Sequence, residues 1–208
     1  MSEHDEWRSI AETADDAELR ERILTGFKDG KPFAPYVPTI PLPAPLGRVL
    51  DFGCGVGRNF PYLKDIAAHV TGFDLPPMID RCRRLAPVPA DALSSDWTAL
   101  EAERFDLVFA SLVLQHLATD AARARMDDFA RIAPAVYVIT RRDGDFGADM
   151  LRLIADSGLA PAGECVEVDH DPATHQLRIV TRAPLEELVR STRQGHFEVL
   201  LRRPDHLA

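Results

Sequence analysis

Apolar and polar residues alternate along the chain with two different periods, and the order of these periods predicts its secondary structure. After residue 47, short apolar runs predict strands and amphipathic stretches predict helices. The predicted strands are 49–52, 70–73, a weaker one within 89–95, 105–110 and 136–140. The predicted helices are 59–67, 78–85, 120–132 and 146–157. Strand followed by helix at this spacing predicts an α/β fold with a doubly wound, mostly parallel sheet.

The pattern changes in the last quarter of the chain. Three strands are predicted at 165–168, 176–181 and 197–201, and one short helix at 185–191 separates the last two. Strands that lack a full crossover helix pair antiparallel. We therefore expect antiparallel strands at the C-terminal side of the sheet.

The N-terminal part has a different character. Residues 2–26 predict a helix with an imperfect apolar stripe, which contains Trp7. Residues 31–45 contain six prolines and predict an extended connector, since proline fixes φ and removes an amide donor. The expected organisation is an N-terminal helix and proline-rich connector at 1–46, followed by the main domain at 47–208.

The composition narrows the class of protein. Of 208 residues, 46% are hydrophobic, and the net charge of −9 disfavours a nucleic-acid substrate. The three cysteines form no metal-binding or disulfide pattern, and the acidic N-terminus has no apolar stretch typical of a signal peptide. No apolar run is long enough to span a membrane. These features predict a soluble cytoplasmic protein with no metal and no membrane partner, and they indicate nothing about oligomeric state.

A glycine-rich turn follows the first predicted strand. Gly53, Gly55 and Gly57 allow close approach of a ligand to the backbone, and in open α/β sheets ligands bind at the carboxyl ends of strands. A dinucleotide-binding turn needs a further glycine at the position of Arg58, and no phosphate-loop Gly-Lys-Ser/Thr sequence is present. Asp51, two residues before the first glycine, would repel a pyrophosphate and suits a ligand with an ammonium group.

An acid also follows the second predicted strand. Asp74 has two acceptor oxygens and could bind both hydroxyls of a ribose. The alternative interpretation is that Asp74 caps the next helix, and the two roles are compatible.

These segments together resemble the class I S-adenosylmethionine-dependent methyltransferase family. The resemblance rests on Asp51-Phe52-Gly53-Cys54-Gly55-Val56-Gly57, on Gly72-Phe73-Asp74-Leu75 with Met78, and on Phe105-Asp106-Leu107-Val108 through Leu114-Gln115-His116-Leu117. It extends over roughly residues 48–140. It implies a seven-stranded, Rossmann-like sheet, S-adenosyl-L-methionine as cofactor and S-adenosyl-L-homocysteine as product.

The resemblance also implies roles for individual residues. Asp51 would face the cofactor's amino group, Gly53 and Gly55 would make room for the cofactor, Asp74 would bind the ribose, and Leu75 would flank the adenine. Gly57 would serve helix packing. Residues 110–112 would lie near the sulfonium, with Ala110 as the cofactor contact.

A third acid, at the end of the third strand, would meet the adenine amine by the same resemblance. Asp91 and Asp96 both compete for this role, and the spacing from Asp74 favours Asp96. Trp97 could cover the adenine. The alternative is that Asp96 caps a helix over residues 97–101.

His116 is the candidate catalytic residue, because a neutral imidazole can remove a proton near pH 7. The alternative, which we favour, is a histidine that packs the loop. Trp7, Phe33, Tyr36, the loop after Gln115 and residues 169–175 are candidates to line the acceptor pocket and to act as a lid.

Other polar groups have simpler interpretations. Cys54 is expected to be a small packing group. Asp169, His170, Asp171 and His175 could in principle bind a metal, but Asp171-Pro172 favours a polar turn. Arg81, Arg83 and Arg84 are interpreted as a solvated helix face.

The expected activity is methyl transfer to an oxygen, nitrogen or carbon atom of a small molecule by in-line displacement. The sequence Ala110-Ser111-Leu112-Val113 replaces the Asn/Asp-Pro-Pro-aromatic segment of amino-methylating DNA enzymes. Two alternatives stay open: a methyltransferase acting on protein or RNA, and a relative that binds the cofactor or its product without methylating.

Overall fold

The computed structural model describes residues 3–19, 37–141, 144–170, 177–190 and 195–206. Helix α1 spans Glu3–Thr13, and residues 16–19 are helical again. The predicted single helix over 2–26 is therefore wrong at Ala14–Asp15, where the side chain of Asp15 accepts a hydrogen bond from the Glu18 amide at 2.8 Å and caps a new turn. The rest of that helix and the first part of the proline segment, including Phe33 and Tyr36, lie outside the described residues.

The main domain contains the predicted alternation of strands and helices. Its strands are β1 (Leu46–Phe52), β2 (Ala67–Phe73), β3 (Ala92–Ser94), β4 (Leu107–Ser111), β5 (Ala135–Arg141), β6 (Ala160–Pro161), β7 (Cys165–His170), β8 (Leu177–Ala183) and β9 (His196–Arg202). Its helices are α2 (Phe60–Ile66), α3 (Pro76–Leu85), α4 (Trp97–Glu101), α5 (Thr119–Ile132), α6 (Gly144–Asp156) and α7 (Leu185–Arg190). Short 3-10 turns span Leu114–His116 and Pro204–His206.

The described strands form one mixed sheet in the order β3-β2-β1-β4-β5-β9-β7-β8, with β6 paired to β9. Strands β1 to β5 are parallel neighbours, and every pair that involves β6 to β9 is antiparallel. The α/β class and the antiparallel C-terminal strands are thus confirmed. The described strands number nine: eight match the strands predicted from the pattern, including β8, and the two-residue β6 is the addition, whereas the family resemblance implied seven. The chain order reverses between β1 and β4, so the switch point lies at their carboxyl ends.

Successive residues of the central strands face opposite sides of the sheet, as a period of two requires. Val108 and Ala110 belong to the apolar core that contains residues of α4, α5, α6 and α7. Leu107 and Phe109 belong to the other core, which contains residues of α2 and α3 and Ile40 of the connector. The sheet is therefore covered on both faces by apolar side chains.

Helix α1 packs against α3 through a small apolar cluster of its own. Ala11, Ala14 and Leu19 share this cluster with Val56 of the glycine turn and Met78 of α3. The guanidinium of Arg81 donates to the carbonyls of Ala11 at 3.2 Å and Ala14 at 2.9 Å, and it pairs with Asp16. The interpretation of Arg81 as a solvated residue is therefore wrong, because its guanidinium occupies carbonyls at the end of α1.

Among the helices in the described ranges, none is long and apolar enough to cross a bilayer.

Candidate functional site

The glycine turn is fixed to the end of β2 by its own backbone. The amides of Gly53 and Cys54 both donate to the carbonyl of Phe73, at 2.8 and 3.0 Å. Gly53, Gly55 and Gly57 have φ values of +74°, +55° and +79°, a region that favours glycine. The turn therefore needs glycine for its conformation and brings the ends of β1 and β2 together.

Asp74 lies where these two strand ends meet. Its Oδ2 accepts from the Gly55 amide and its Oδ1 from the Leu75 amide, both at 2.7 Å. The carboxylate therefore links the glycine turn to the start of α3. Each carboxylate oxygen can accept a further hydrogen bond, so this arrangement is compatible with a diol ligand.

Asp51 is completely buried at the end of β1. Neither of its oxygens has a hydrogen-bond partner of normal geometry in the described structure. Burial and then the neighbouring Asp74 raise the pKa of Asp51 to about 8, while Asn59 acts in the opposite direction. A buried carboxyl group without hydrogen-bond partners, next to a second carboxylate, favours a cationic ligand nearby, because a cation would restore its ionised form. The residues present therefore fit the ammonium and ribose groups of S-adenosylmethionine.

The segment after β4 closes over the first glycine. A Cβ added at Gly53 would lie 2.2 Å from Cγ2 of Val113. The side chain of Val113 therefore occupies the space into which any other residue at position 53 would place its Cβ. Leu112 has a φ of +54°, rare for a branched residue, and its amide donates to the Ile139 carbonyl at 2.8 Å. Ala110, proposed as a cofactor contact, is fully buried in the core, and Ser111 is the first partly exposed residue of this strand end.

Asp91 and Asp96, the two acids that compete for the predicted adenine contact, lie at opposite ends of β3. Asp91 accepts from the amide of Val70 at 2.7 Å and pairs with Lys64, near the amino end of the strand. Asp96 follows the carboxyl end, where the Asp74 amide donates to the Ser94 carbonyl at 3.3 Å. Asp96 therefore lies at the same end of the parallel strands as Asp74. Its Oδ1 also accepts from Thr98 and Ala99 and caps α4.

Trp97 is held by packing on several sides. Its ring centroid lies 5.6 Å from that of Phe52 and 5.3 Å from that of Phe73, both edge-on, and the guanidinium of Arg125 lies 4.5 Å from the ring centroid. Its indole nitrogen donates to Asp128 at 3.0 Å. These contacts support a packing role for Trp97 in place of a contact with the adenine.

His116 lies in the turn Leu114–His116, at the end of the sheet where β4 and β5 finish. Its ring centroid is 5.4 Å from that of Trp7 in α1, with 67° between the ring planes. Gln115 reaches the end of β5 and contacts the backbone of Arg141. The structure thus brings Trp7, Gln115 and His116 together on the side of the sheet expected for the acceptor.

The remaining predictions concern Cys54 and the polar turn after β7. Cys54 is buried in the core beside Cys82, and burial raises its pKa well above the usual range, so the thiol packs rather than reacts. Residues 171–176 lie outside the described residues, and with them most of the proposed polar turn. Sequence reasoning missed the contacts of Gln115, Val113 and Arg81. The basic cluster in the sequence points to Arg81, whereas no local sequence pattern indicates the contacts of Gln115 and Val113.

The comparisons with known proteins agree with this geometry. Residues 50–144 match a family model described as a methyltransferase domain. No curated protein sequence matches the chain. Solved structures share the fold at low sequence identity.

Three of these structures illustrate the likeness. The N-methyltransferase NodS from Bradyrhizobium japonicum WM9, in complex with S-adenosyl-L-homocysteine, has a TM-score of 0.59 and 14% identity over 98% of this chain and 100% of that one. A chain from the complex of the Haloferax volcanii Trm112 methyltransferase activator with a methyltransferase has a TM-score of 0.59 and 16% identity, over 98% and 99%. Magnesium protoporphyrin IX methyltransferase from Synechocystis PCC 6803, with bound S-adenosyl-L-homocysteine, has a TM-score of 0.52 and 19% identity, over 77% and 74%.

The matched segment contains the glycine turn, Asp74 and the end of β4, and the strand order places all three at the switch point of the sheet. Residues 50–144 therefore match a methyltransferase domain, and the chain shares the fold of solved methyltransferase structures that bind S-adenosylmethionine or its product.

Proposed function

We propose that this methyltransferase acts on a small-molecule acceptor, and that Asp51, Gly53, Gly55, Asp74, Leu75 and Asp96 form its cofactor site. The observation that carries the site is Asp74, which bridges the Gly55 and Leu75 amides beside the buried Asp51. The cofactor supplies an electrophilic methyl carbon bonded to a sulfonium. The chain's residues would orient the acceptor, whose lone pair forms the new bond to that carbon as the bond to sulfur breaks.

Charge and local sequence support a small-molecule acceptor. The net charge of −9 opposes binding of a phosphate backbone, and the strand end after Phe109 lacks the two prolines of amino-methylating DNA enzymes. The three cysteines are buried and unpaired, which supports a location in the reducing cytoplasm. Helix α1 would contribute Trp7 to the acceptor side, opposite His116.

Calorimetric titration with S-adenosylhomocysteine tests the cofactor site. We expect binding, and Asp74→Ala should weaken it at least tenfold because a charged hydrogen-bond partner is lost. Asp80→Ala is the matched control, since Asp80 is an exposed acid on α3. Heat with NAD and none with S-adenosylhomocysteine would contradict the proposal, and equal affinity in the Asp74 variant would remove Asp74 from the site.

The acceptor class needs a separate measurement. The protein is incubated with cofactor carrying a labelled methyl group and with small-molecule, protein or RNA fractions of a cell extract. We expect label in the small-molecule fraction. Label in protein or RNA would contradict the proposed acceptor class, and binding without any transfer would indicate a relative that does not methylate.

A further inference from the structure

Gln115 connects two strand ends on the proposed acceptor side. Its Oε1 accepts a hydrogen bond from the backbone amide of Arg141 at 2.9 Å. The same oxygen accepts from Oγ1 of Thr140, which is fully buried, at 3.4 Å. The turn after β4 is thereby tied to the end of β5 through one side chain.

These contacts decide which way the Gln115 amide points. A backbone amide can only donate, so the oxygen and not the nitrogen of Gln115 must face Arg141. The amide nitrogen then lies at the opposite position, 3.4 Å from Nε2 of His116. Since an amide NH₂ group only donates, Nε2 of His116 must accept, and the ring hydrogen of the neutral imidazole is on Nδ1.

Trp7 restricts the same imidazole from another part of the chain. The two rings meet edge to face, an arrangement that aromatic pairs favour. Helix α1 carries Trp7 and is itself fixed to α3 by Arg81. The orientation of the His116 ring is therefore restricted by Gln115 in its own turn and by Trp7 in α1.

We propose that Gln115 is a positioning residue that holds His116 in the neutral Nδ1–H tautomer, so that His116 donates a hydrogen bond through Nδ1 and is not a base through Nε2. The inference rests on the proposed function and refines the acceptor side of that site. It replaces the general-base interpretation of His116. His116 then cannot take a proton from the acceptor through Nε2, which favours an acceptor atom that is nucleophilic without a base, such as a neutral amine nitrogen or a thiolate, over a hydroxyl.

Nitrogen-15 NMR of the ligand-free protein tests the tautomer directly, since protonated and unprotonated imidazole nitrogens have clearly different shifts. The chain has seven histidines, so the His116 signals are assigned by their loss in His116→Asn. In the wild type we expect unprotonated Nε2 and protonated Nδ1. In Gln115→Glu, a carboxylate replaces the donor and should move the proton to Nε2. A protonated Nε2 in the wild type, or an unchanged tautomer in Gln115→Glu, would overturn the proposal.

Thr140→Val is the matched control, because it removes the second donor to Gln115 and leaves the Arg141 amide in place. It should keep the wild-type tautomer, and a shift in this variant would also count against the proposal. If Gln115→Glu does not fold, Gln115→Leu removes the donor, and a mixture of both tautomers is expected, whereas the unmixed Nδ1–H form would overturn the proposal. Calorimetry with S-adenosylhomocysteine on the same wild-type protein tests the proposed cofactor site separately. Absent binding would refute the cofactor site, whereas the tautomer of His116 alone decides the role of Gln115.

Discussion

Asp51 has its carboxyl group at a buried position, where a charge opposes folding. Its side chain is fully buried and its pKa is raised to about 8, first by burial and then by Asp74. One pKa unit corresponds to about 1.4 kcal/mol. In the ligand-free protein the Asp51 carboxyl is therefore mostly protonated near pH 7, and this uptake of a proton on folding opposes folding by about 4 kcal/mol. Such a cost at the end of β1 is typical of a residue kept for function rather than for stability.

Asp51→Asn should stabilise the ligand-free protein in a pH-dependent way. A raised carboxyl pKa means that the folded state binds the proton more tightly, so the wild type loses stability as pH rises from about 4 to about 8. The gain in melting temperature of Asp51→Asn over the wild type should therefore be larger at pH 8 than at pH 5. Asp65→Asn, on the exposed face of α2, is the control and should show no such trend.

The Asp51→Asn variant should bind S-adenosylhomocysteine more weakly than the wild type, since the carboxylate that favours the ammonium group is gone.

For the stability prediction, a gain in melting temperature of Asp51→Asn that does not change between pH 5 and pH 8 would show that Asp51 titrates normally.

Gly53→Ala should destabilise the protein and weaken cofactor binding. An alanine at φ +74° costs about 1–2 kcal/mol, and its Cβ would clash with Val113, which adds about 1–3 kcal/mol. Gly158→Ala is the control, because Gly158 has φ +72° but nothing within 4 Å of an added Cβ. Chemical denaturation of both variants should show the larger loss at Gly53. Equal losses would mean that Val113 does not restrict the turn.

At the scale of elements, helix α1 depends on a contact that lies far away in sequence. Arg81 donates to two carbonyls at the end of α1, and its side chain is only 18% exposed. Arg81 is also the main cause that lowers the pKa of Asp16. The position of Trp7 relative to His116 therefore depends on a residue of α3.

Arg81→Ala should loosen α1 without unfolding the main domain. Loss of the two hydrogen bonds, on the order of 1 kcal/mol or more, should raise the rate of amide exchange in residues 3–14 about tenfold. Arg83→Ala is the control on the same helix, since Arg83 is exposed and pairs only with Asp80 among the described contacts. Unchanged exchange in the Arg81 variant would show that apolar packing alone holds α1.

The sequence predicted the parallel strands and the positions of Asp51 and Asp74 at strand ends, because both depend on short-range patterns. Alternation reveals which residues of a strand are buried, and glycines beside Asp51 and Asp74 reveal a strand end. Alternation does not reveal which strand lies beside which, so the position of β9 between β5 and β7 could not be predicted. The contact of Gln115 with Arg141, which lies 26 residues further along the chain, depends in the same way on the pairing of β4 with β5. The packing of Trp97 against Asp128 likewise needed the three-dimensional structure.

At the scale of the whole molecule, the last strand in sequence is an interior strand of the sheet. Strand β9 pairs with β5 on one side and with β7 on the other, and Phe197, Val199 and Leu201 are completely buried. The apolar core on one face therefore cannot close without residues 196–202. The N-terminal arm is attached differently, since α1 lies on the outside of α3.

A chain ended after residue 195 should fail to fold and should not bind S-adenosylhomocysteine, because it loses the strand that joins both parts of the sheet. A chain ended after residue 203 keeps all of β9 and should bind normally. Circular dichroism and calorimetry on the two shortened proteins make the comparison. Cooperative melting of the shorter chain would show that β5 and β7 can form stable structure alone.

The interior position of β9 also has a consequence during synthesis on the ribosome. While β5 and the β7–β8 pair have left the ribosome and β9 has not, the partner of both is still missing. The hydrogen-bonding groups along the edge of β5 stay open for that interval and can pair with a strand of another nascent chain. The yield of soluble protein should therefore depend on how quickly the final strand emerges from the exit tunnel.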